Sequence, residues 1–209
     1  MCGRFYIADE DETGEIQRMI EEAARKQQAI LGVRTVAPGE IAPGMTAPAL
    51  ALGKTGRVGA FPMEWGFSLE KKRIINTRLE TADELPLFQS SFRNRRCLLP
   101  MTHYFEWEER QEEQPTLIPG FLMATGKKQR TRYAIRPEGQ GMMYLAGIYR
   151  YEPEKKLPVF SVLTCRPDES IAWLHDRMPV ILGKQCAMDF LHSERAADSR
   201  EKAMVFRAG

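Results

Sequence analysis

Short strand-like runs constrain the fold of this chain more than any other sequence feature. They occupy residues 73–78, 96–101, 103–109, 117–124, 142–150 and 158–165. Residues 33–62 contain four prolines among several glycines, which favours turns and β-structure over helix. The polar segments 110–116 and 125–132 are predicted to be hairpin loops, and residues 2–8 a further short strand. Strands outnumber helices in this pattern, so we expect mostly antiparallel pairing.

Helices are predicted to be few. The longest amphipathic pattern covers residues 10–31, with Asp9 and Glu12 suited to its start and Gly32 to its end. Further helices are predicted over 83–94, 168–174 and 184–192.

No linker rich in proline, glycine or serine divides the chain into two cores. We therefore predict one α+β domain over residues 1–192, dominated by antiparallel strands in a barrel-like mixed sheet with peripheral helices. Residues 193–209 are predicted to be a charged C-terminal tail that frays.

Charge and cysteine content exclude several classes of function. The net charge of +2 does not demand a nucleic-acid partner, so any anion-binding surface must be a local cluster. No run of 18 apolar residues exists, and no secretory signal is visible. The four cysteines lack CxxC spacing, which argues against a metal site or a disulfide scaffold. We expect a cytoplasmic monomer without cofactor, metal or membrane partner.

Cys2 directly follows the initiator methionine, and Cys is small enough for that Met1 to be removed. One residue would then carry both a free α-amine and a thiol. Such an aminothiol captures aldehydes, because the amine forms a Schiff base and the sulfur closes a five-membered ring. Both groups titrate within about two pH units of neutrality, so useful fractions are nucleophilic. The alternative is that Cys2 is an ordinary second residue.

Three segments combine polar groups with apolar neighbours. Asn76, Arg78 and Glu80 would share one face of a strand, and Glu106 lies in an aromatic-rich strand that could raise its pKa. His175 lies between a short apolar helix and a strand, where a proton shuttle could sit. Each segment has a plain structural interpretation as well: a solvated face, a surface glutamate and a capping histidine.

Arginines and aromatics accompany these candidates. Arg4, Arg78 and Arg177 each lie beside one candidate catalytic residue, and three converging guanidinium groups would clamp phosphates. Trp65 and Phe67 could stack on bases or wedge between them. We interpret Trp107 and Trp173 as core residues.

Taken together, these segments resemble one family over roughly residues 2–192, the SOS-response-associated peptidase (SRAP) family, which shields abasic sites in DNA. The N-terminal Met1-Cys2-Gly3-Arg4 is similar to the family's MCGR. The other matching segments, in chain order, are Ala37-Pro38-Gly39, Trp65-Gly66-Phe67, Asn76 to Thr81, Arg95 to Pro100, Tyr104-Phe105-Glu106-Trp107, Leu145 to Ile148 and His175 to Val180. Their joint occurrence in this order is specific.

The resemblance implies a mechanism and a set of site residues. Cys2, freed of Met1 by the protein's own peptidase activity, would capture the aldehyde of an abasic site in single-stranded DNA as a thiazolidine. Asn76 would orient the amine, Glu106 would shuttle protons, and His175 would assist ring opening by lyase-like Schiff-base chemistry. The implied DNA contacts are Arg4, Arg78, Arg177, Trp65, Phe67, Pro38 and Thr164. A DNA-bound protein of this kind would be associated with the nucleoid.

The chain departs from the family pattern in four places. Thr35 replaces an Asn, Phe67 replaces a Leu, and Met101-Thr102-His103 replaces Ala-Asp-Gly, while segment 109–125 resembles an insertion. None removes a proposed catalytic residue.

Two other functions remain open at this stage. One is a cysteine peptidase or amidohydrolase with Cys2 as the N-terminal nucleophile, and the other is a non-covalent reader of modified DNA. Replacement of the Cys2 thiol distinguishes the second alternative, because a non-covalent reader would still bind DNA whereas covalent capture would be lost.

Overall fold

The computed structural model describes residues 2–9, 13–111, 115–118, 121–124, 128–137, 142–192 and 206–208. The helices are α1 (Glu15–Leu31), α2 (Pro86–Asn94) and α3 (Lys184–His192). The strands, in chain order, are β1 (Arg4–Ile7), β2 (Gly39–Ile41), β3 (Thr46–Leu52), β4 (Val58–Trp65), β5 (Phe67–Leu69), β6 (Lys72–Ile74), β7 (Asn76–Arg78), β8 (Arg96–Met101), β9 (His103–Gln111), β10 (Pro115–Ile118), β11 (Phe121–Ala124), β12 (Lys128–Pro137), β13 (Met143–Arg150), β14 (Val159–Cys165), β15 (Met178–Pro179), β16 (Ile181–Gly183) and β17 (Phe206–Ala208).

Five strands pair in a closed ring with the order β14-β4-β3-β8-β13 and back to β14. The ring pairs are antiparallel except β14 with β4, and β7 pairs in parallel with the later residues of β14, Val162 to Thr164. A second sheet has the order β17-β12-β9-β1-β2 and is antiparallel throughout. The predicted α+β class with a barrel-like mixed sheet is therefore confirmed.

Successive side chains of a strand point to opposite faces, and in the ring strands both sets of side chains are buried. One face, which includes Leu99, packs with Phe5 and Tyr104 from the second sheet. The other, which includes Leu98, packs with side chains of the three helices, such as Phe92 and Phe190. The second sheet thus lies over one core and the helices over the other.

Glycine fixes both ends of α1. Gly14 (φ 63°) and Gly32 (φ 75°) adopt the left-handed conformation, and the Gly32 N–H caps the helix by donating to the Gln28 carbonyl. The helix therefore begins at Glu15, later than the predicted start at residue 10. The prediction for α3 is confirmed, whereas α2 begins at Pro86 rather than residue 83. The helix predicted over 168–174 is wrong, because that segment forms consecutive turns.

One predicted loop and one predicted strand differ from the structure. Residues 128–132, placed in a hairpin loop, belong to β12 and pair with β9. Residues 117–124, predicted as one strand, divide between β10 and β11. Of the predicted tail, residues 193–205 lie outside the described residues, and Phe206–Ala208 pair with β12. No helix among the described residues has the length and apolar character needed to cross a membrane.

We predict that Trp65→Ala lowers the free energy of unfolding by about 3–5 kcal/mol, because it removes a large, fully buried side chain. Urea denaturation measures this change. The matched control is Tyr151→Ala, since Tyr151 is 69% exposed and its loss should change stability by about 0.5 kcal/mol or less. Equal effects of the two substitutions would contradict the assignment of Trp65 to the core.

A candidate site around Cys2

Cys2 is fully buried two residues before β1, with its Sγ 3.8 Å from the carbonyl oxygen of Arg4. Burial raises the pKa of the thiol to about 12, and the negative charge of Glu106 adds to the shift. The thiol is therefore protonated at neutral pH.

Asn76 fixes the backbone of Cys2. Its Nδ2 donates a hydrogen bond of 2.9 Å to the Cys2 carbonyl oxygen. The second amide atom, Oδ1, is buried and has no hydrogen-bond partner among the described residues. One buried acceptor therefore remains available on the side chain that holds Cys2.

Trp65 holds both Cys2 and Asn76 in place. Its ring lies 5.3 Å from that of Phe5 on β1 and is stacked at 5.9 Å on that of Phe160 on β14. Its Nε1 donates a 2.9 Å hydrogen bond to the carbonyl of Ile75, directly before Asn76. One buried indole thus joins the strands that carry the two site residues.

Glu106 approaches Cys2 from β9. Arg4 pairs with Phe105, so the residues before Arg4 lie beside Glu106. The carboxylate is only 6% exposed, and its Oε1 accepts a 3.4 Å hydrogen bond from the backbone N–H of Trp107. Because its charge acts on both Cys2 and Tyr104, Glu106 faces the interior rather than solvent.

His175 lies in the loop before β15, and the pairing of β15 with β14 positions this loop relative to the site. On β14, Thr164 pairs with Arg78 on one side and Pro179 on the other, which brings together the segments that contain Asn76 and His175. No hydrogen bond or ion pair joins His175 to Cys2 among the described residues. Its Nδ1 lies 2.6 Å from Asp176 Oδ1 and 3.1 Å from the backbone N–H of Arg177. Nδ1 thus lies between a carboxylate oxygen and a backbone N–H donor.

Two of the three predicted phosphate contacts already have acidic partners. Arg177 makes a two-pronged ion pair with Glu80 at 2.9 and 2.7 Å, which lowers the pKa of that carboxyl. Arg4 donates to Glu40 at 3.2 Å, and Arg132 binds the same carboxylate. Arg78 is exposed and makes no side-chain hydrogen bond within the described part of the chain. It is the most accessible of the three guanidinium groups for a phosphate.

Burial separates the remaining predicted DNA contacts. Trp65 and Phe67 are fully buried, so neither ring can stack on a base or wedge between bases in this conformation. Thr164 is only 1% exposed, and its hydroxyl lies 3.4 Å from the carbonyl oxygen of Thr77. Pro38 is exposed and precedes Gly39, which pairs with Ile7, the last residue of β1.

Sequence reasoning missed two residues near the site. Glu80, noticed only for its strand position, anchors the His175 loop through Arg177. Trp173, interpreted as core, is 53% exposed, and its position two residues before His175 was the available signal. No group of three potential metal ligands occurs among the described residues.

Comparisons with known proteins show the family of this chain. The profile of the family described as SOS response associated peptidase (SRAP) matches residues 1–208. An abasic site processing protein of Saccharomyces cerevisiae is 30% identical over 110 residues, covering 53% of this chain and 26% of that protein. Abasic site processing protein YedK of Escherichia coli is 24% identical over 200 residues, covering 93% and 81%.

The fold also recurs in solved structures. A crystal structure of a protein from Bacteroides thetaiotaomicron superposes with a TM-score of 0.69 at 16% identity, over 99% of this chain and 91% of that one.

We predict that alkylation of Cys2 by iodoacetamide at pH 8 is far slower than alkylation of partly exposed Cys186, because about one Cys2 thiol in 10⁴ is ionised at a pKa near 12. Peptide mass spectrometry after timed labelling measures both rates. Glu106→Gln should speed labelling of Cys2 but not Cys186, since removing the negative charge lowers the Cys2 pKa. Equal labelling of both cysteines in the native protein would contradict the buried, protonated thiol.

Proposed function

Since the chain belongs to the SOS response associated peptidase family, we propose that it processes abasic sites in DNA, the activity stated in the names of its relatives. The proposed substrate is the open-chain aldehyde of an abasic site in single-stranded DNA. The proposed product is a covalent thiazolidine that joins the DNA to Cys2 and shields the lesion. This step requires removal of Met1, because the α-amine of Cys2 must be free.

The capture balances without an added reagent. The α-amine of Cys2 attacks the aldehyde carbon, and loss of water gives the Schiff base. The sulfur then adds to that carbon while the thiol proton passes to the nitrogen, which closes the ring. Cys2 supplies both bonding atoms.

The observation that carries the proposal is the geometry at Asn76. Its Nδ2 bonds the Cys2 carbonyl, and we assign its unpartnered Oδ1 to the α-amine of the same residue. A buried acceptor without a partner is costly, and an N–H of the amine would satisfy it. This bond would aim the nitrogen lone pair at the incoming aldehyde.

Glu106 and His175 divide the proton transfers in this proposal. Glu106 lies buried beside the thiol and can take the proton that sulfur releases during ring closure. His175 is partly exposed and can serve the sugar ring, which must open before an aldehyde exists.

DNA approaches from the exposed side of the site, where Arg78 provides the first phosphate contact. Arg4 can follow, because its single 3.2 Å contact with Glu40 is shared with Arg132. Arg177 would have to exchange Glu80 for a phosphate. We therefore assign Arg177 mainly to holding the His175 loop against β14.

The raised thiol pKa argues against the hydrolase alternative. A cysteine nucleophile in a peptidase needs a lowered pKa, provided by a nearby cation or helix N-terminus. Cys2 instead has burial and a neighbouring carboxylate, which both favour the neutral thiol. Addition of a thiol to a Schiff base suits this environment better, because the proton can leave as the bond forms.

We predict that Cys2→Ala abolishes the heat-stable adduct with single-stranded DNA carrying one abasic site, and that Cys2→Ser gives a weaker one. Serine keeps the amine, but its oxygen closes the ring less favourably. A denaturing gel separates crosslinked from free DNA, and intact mass measurement shows whether Met1 has been removed. Cys186→Ala is the control and should crosslink like the wild type. Equal crosslinking by Cys2→Ala would exclude covalent capture and favour a non-covalent reader.

We predict that Glu106→Gln and His175→Ala slow adduct formation by about 10²–10⁴-fold each without preventing it, because each removes a proton-transfer group while Cys2 remains. A time course on abasic single-stranded DNA between pH 5.5 and 8 measures the rates. If both variants formed the adduct at the wild-type rate across this pH range, the proton-transfer roles of Glu106 and His175 would be wrong.

A further inference from the structure

Trp173 presents a large aromatic surface of which about half is not covered by other residues. It is 53% exposed, although tryptophan is usually buried in a core of this size. Its Nε1 donates a 3.0 Å hydrogen bond to the Ser170 carbonyl, and its ring meets that of Tyr133 edge-on at 5.3 Å and 87°. The indole is therefore held in one orientation with its polar atom already bonded.

The contacts of Trp173 place it at the rim of the Cys2 site. Tyr133 pairs with Glu106 across β9 and β12, and its hydroxyl donates to Glu108 at 2.9 Å. Tyr133 and Leu174 both pack against the core cluster that contains Cys2. Trp173 therefore contacts the cross-strand partner of Glu106 and precedes His175 by two residues in the chain.

We propose that Trp173 is a stacking platform for a base next to the abasic site. This inference rests on the proposed function. A missing base interrupts the stack and exposes the face of its neighbour, which an aromatic ring can cover. Trp65 and Phe67 are buried and cannot do this, whereas the Trp173 indole is exposed and already oriented. Stacking is tolerant of sequence, as a protein that handles lesions at any position requires.

The test measures non-covalent binding, so that it does not depend on the chemistry at Cys2. The probes are single-stranded oligonucleotides with a tetrahydrofuran abasic analogue, which has no aldehyde. In one series both neighbours of the analogue carry bases, and in the others the 5′ or the 3′ neighbour is also abasic. Fluorescence anisotropy gives the dissociation constants at fixed salt.

We expect wild-type affinity to fall about 5- to 100-fold when one particular neighbour loses its base, the range typical of one base–aromatic stack. Trp173→Ala should lose a similar factor with the intact probe and show no further loss when that neighbour is removed. Trp173→Phe should retain part of both effects. Tyr151→Ala, which removes another exposed aromatic, should behave like the wild type.

Two outcomes would overturn the inference: wild-type affinity of Trp173→Ala for the intact probe, or an unchanged response of that variant to loss of the neighbouring base. Crosslinking of wild-type protein to authentic abasic DNA is measured in parallel. Covalent adducts with no effect of Trp173 would reject the stacking role alone. A Trp173-dependent neighbour effect without any adduct would support stacking and reject covalent capture.

Discussion

The arrangement of the site depends on the buried indole of Trp65. It contacts Phe5 on the strand that follows Cys2, bonds the carbonyl directly before Asn76, and stacks on Phe160 in the ring. A tryptophan with its N–H bonded can fix two strands at once, because it provides both a wide apolar face and a directional donor. Without it, the 2.9 Å bond between Asn76 and the Cys2 carbonyl would lose the support on both of its sides.

Strand β14 has the corresponding role for the other half of the site. It pairs with β4, β13, β7 and β15, and these pairings bring Arg78, Thr164 and the His175 loop to one end of the ring. The Arg177–Glu80 ion pair then joins the loop to the turn after β7. A partly buried guanidinium with two carboxylate contacts is a stronger connection than an exposed pair.

The sequence predicted the elements with strong local signals and missed those set by tertiary context. Alternation and turn residues located β8, β13 and β14 within a residue, and Gly32 located the end of α1. Strand β12 was missed, because its charged residues are typical of a solvated loop. Only the pairing with β9, which the sequence does not show, makes the segment a strand. Asn76 and Glu106 were chosen on motif order and lie beside Cys2. The same reasoning made Trp65 and Phe67 DNA contacts, since a sequence does not reveal which face of a strand another layer covers.

The burial of Cys2 also bears on how the protein withstands oxidants. Peroxides attack the thiolate rather than the thiol, so susceptibility follows ionisation and access. A buried thiol with a pKa near 12 offers neither, so we expect it to oxidise more slowly than an exposed, acidic cysteine. Oxidative conditions also damage DNA bases, so the protein would keep its reactive residue intact when its proposed substrate is most abundant.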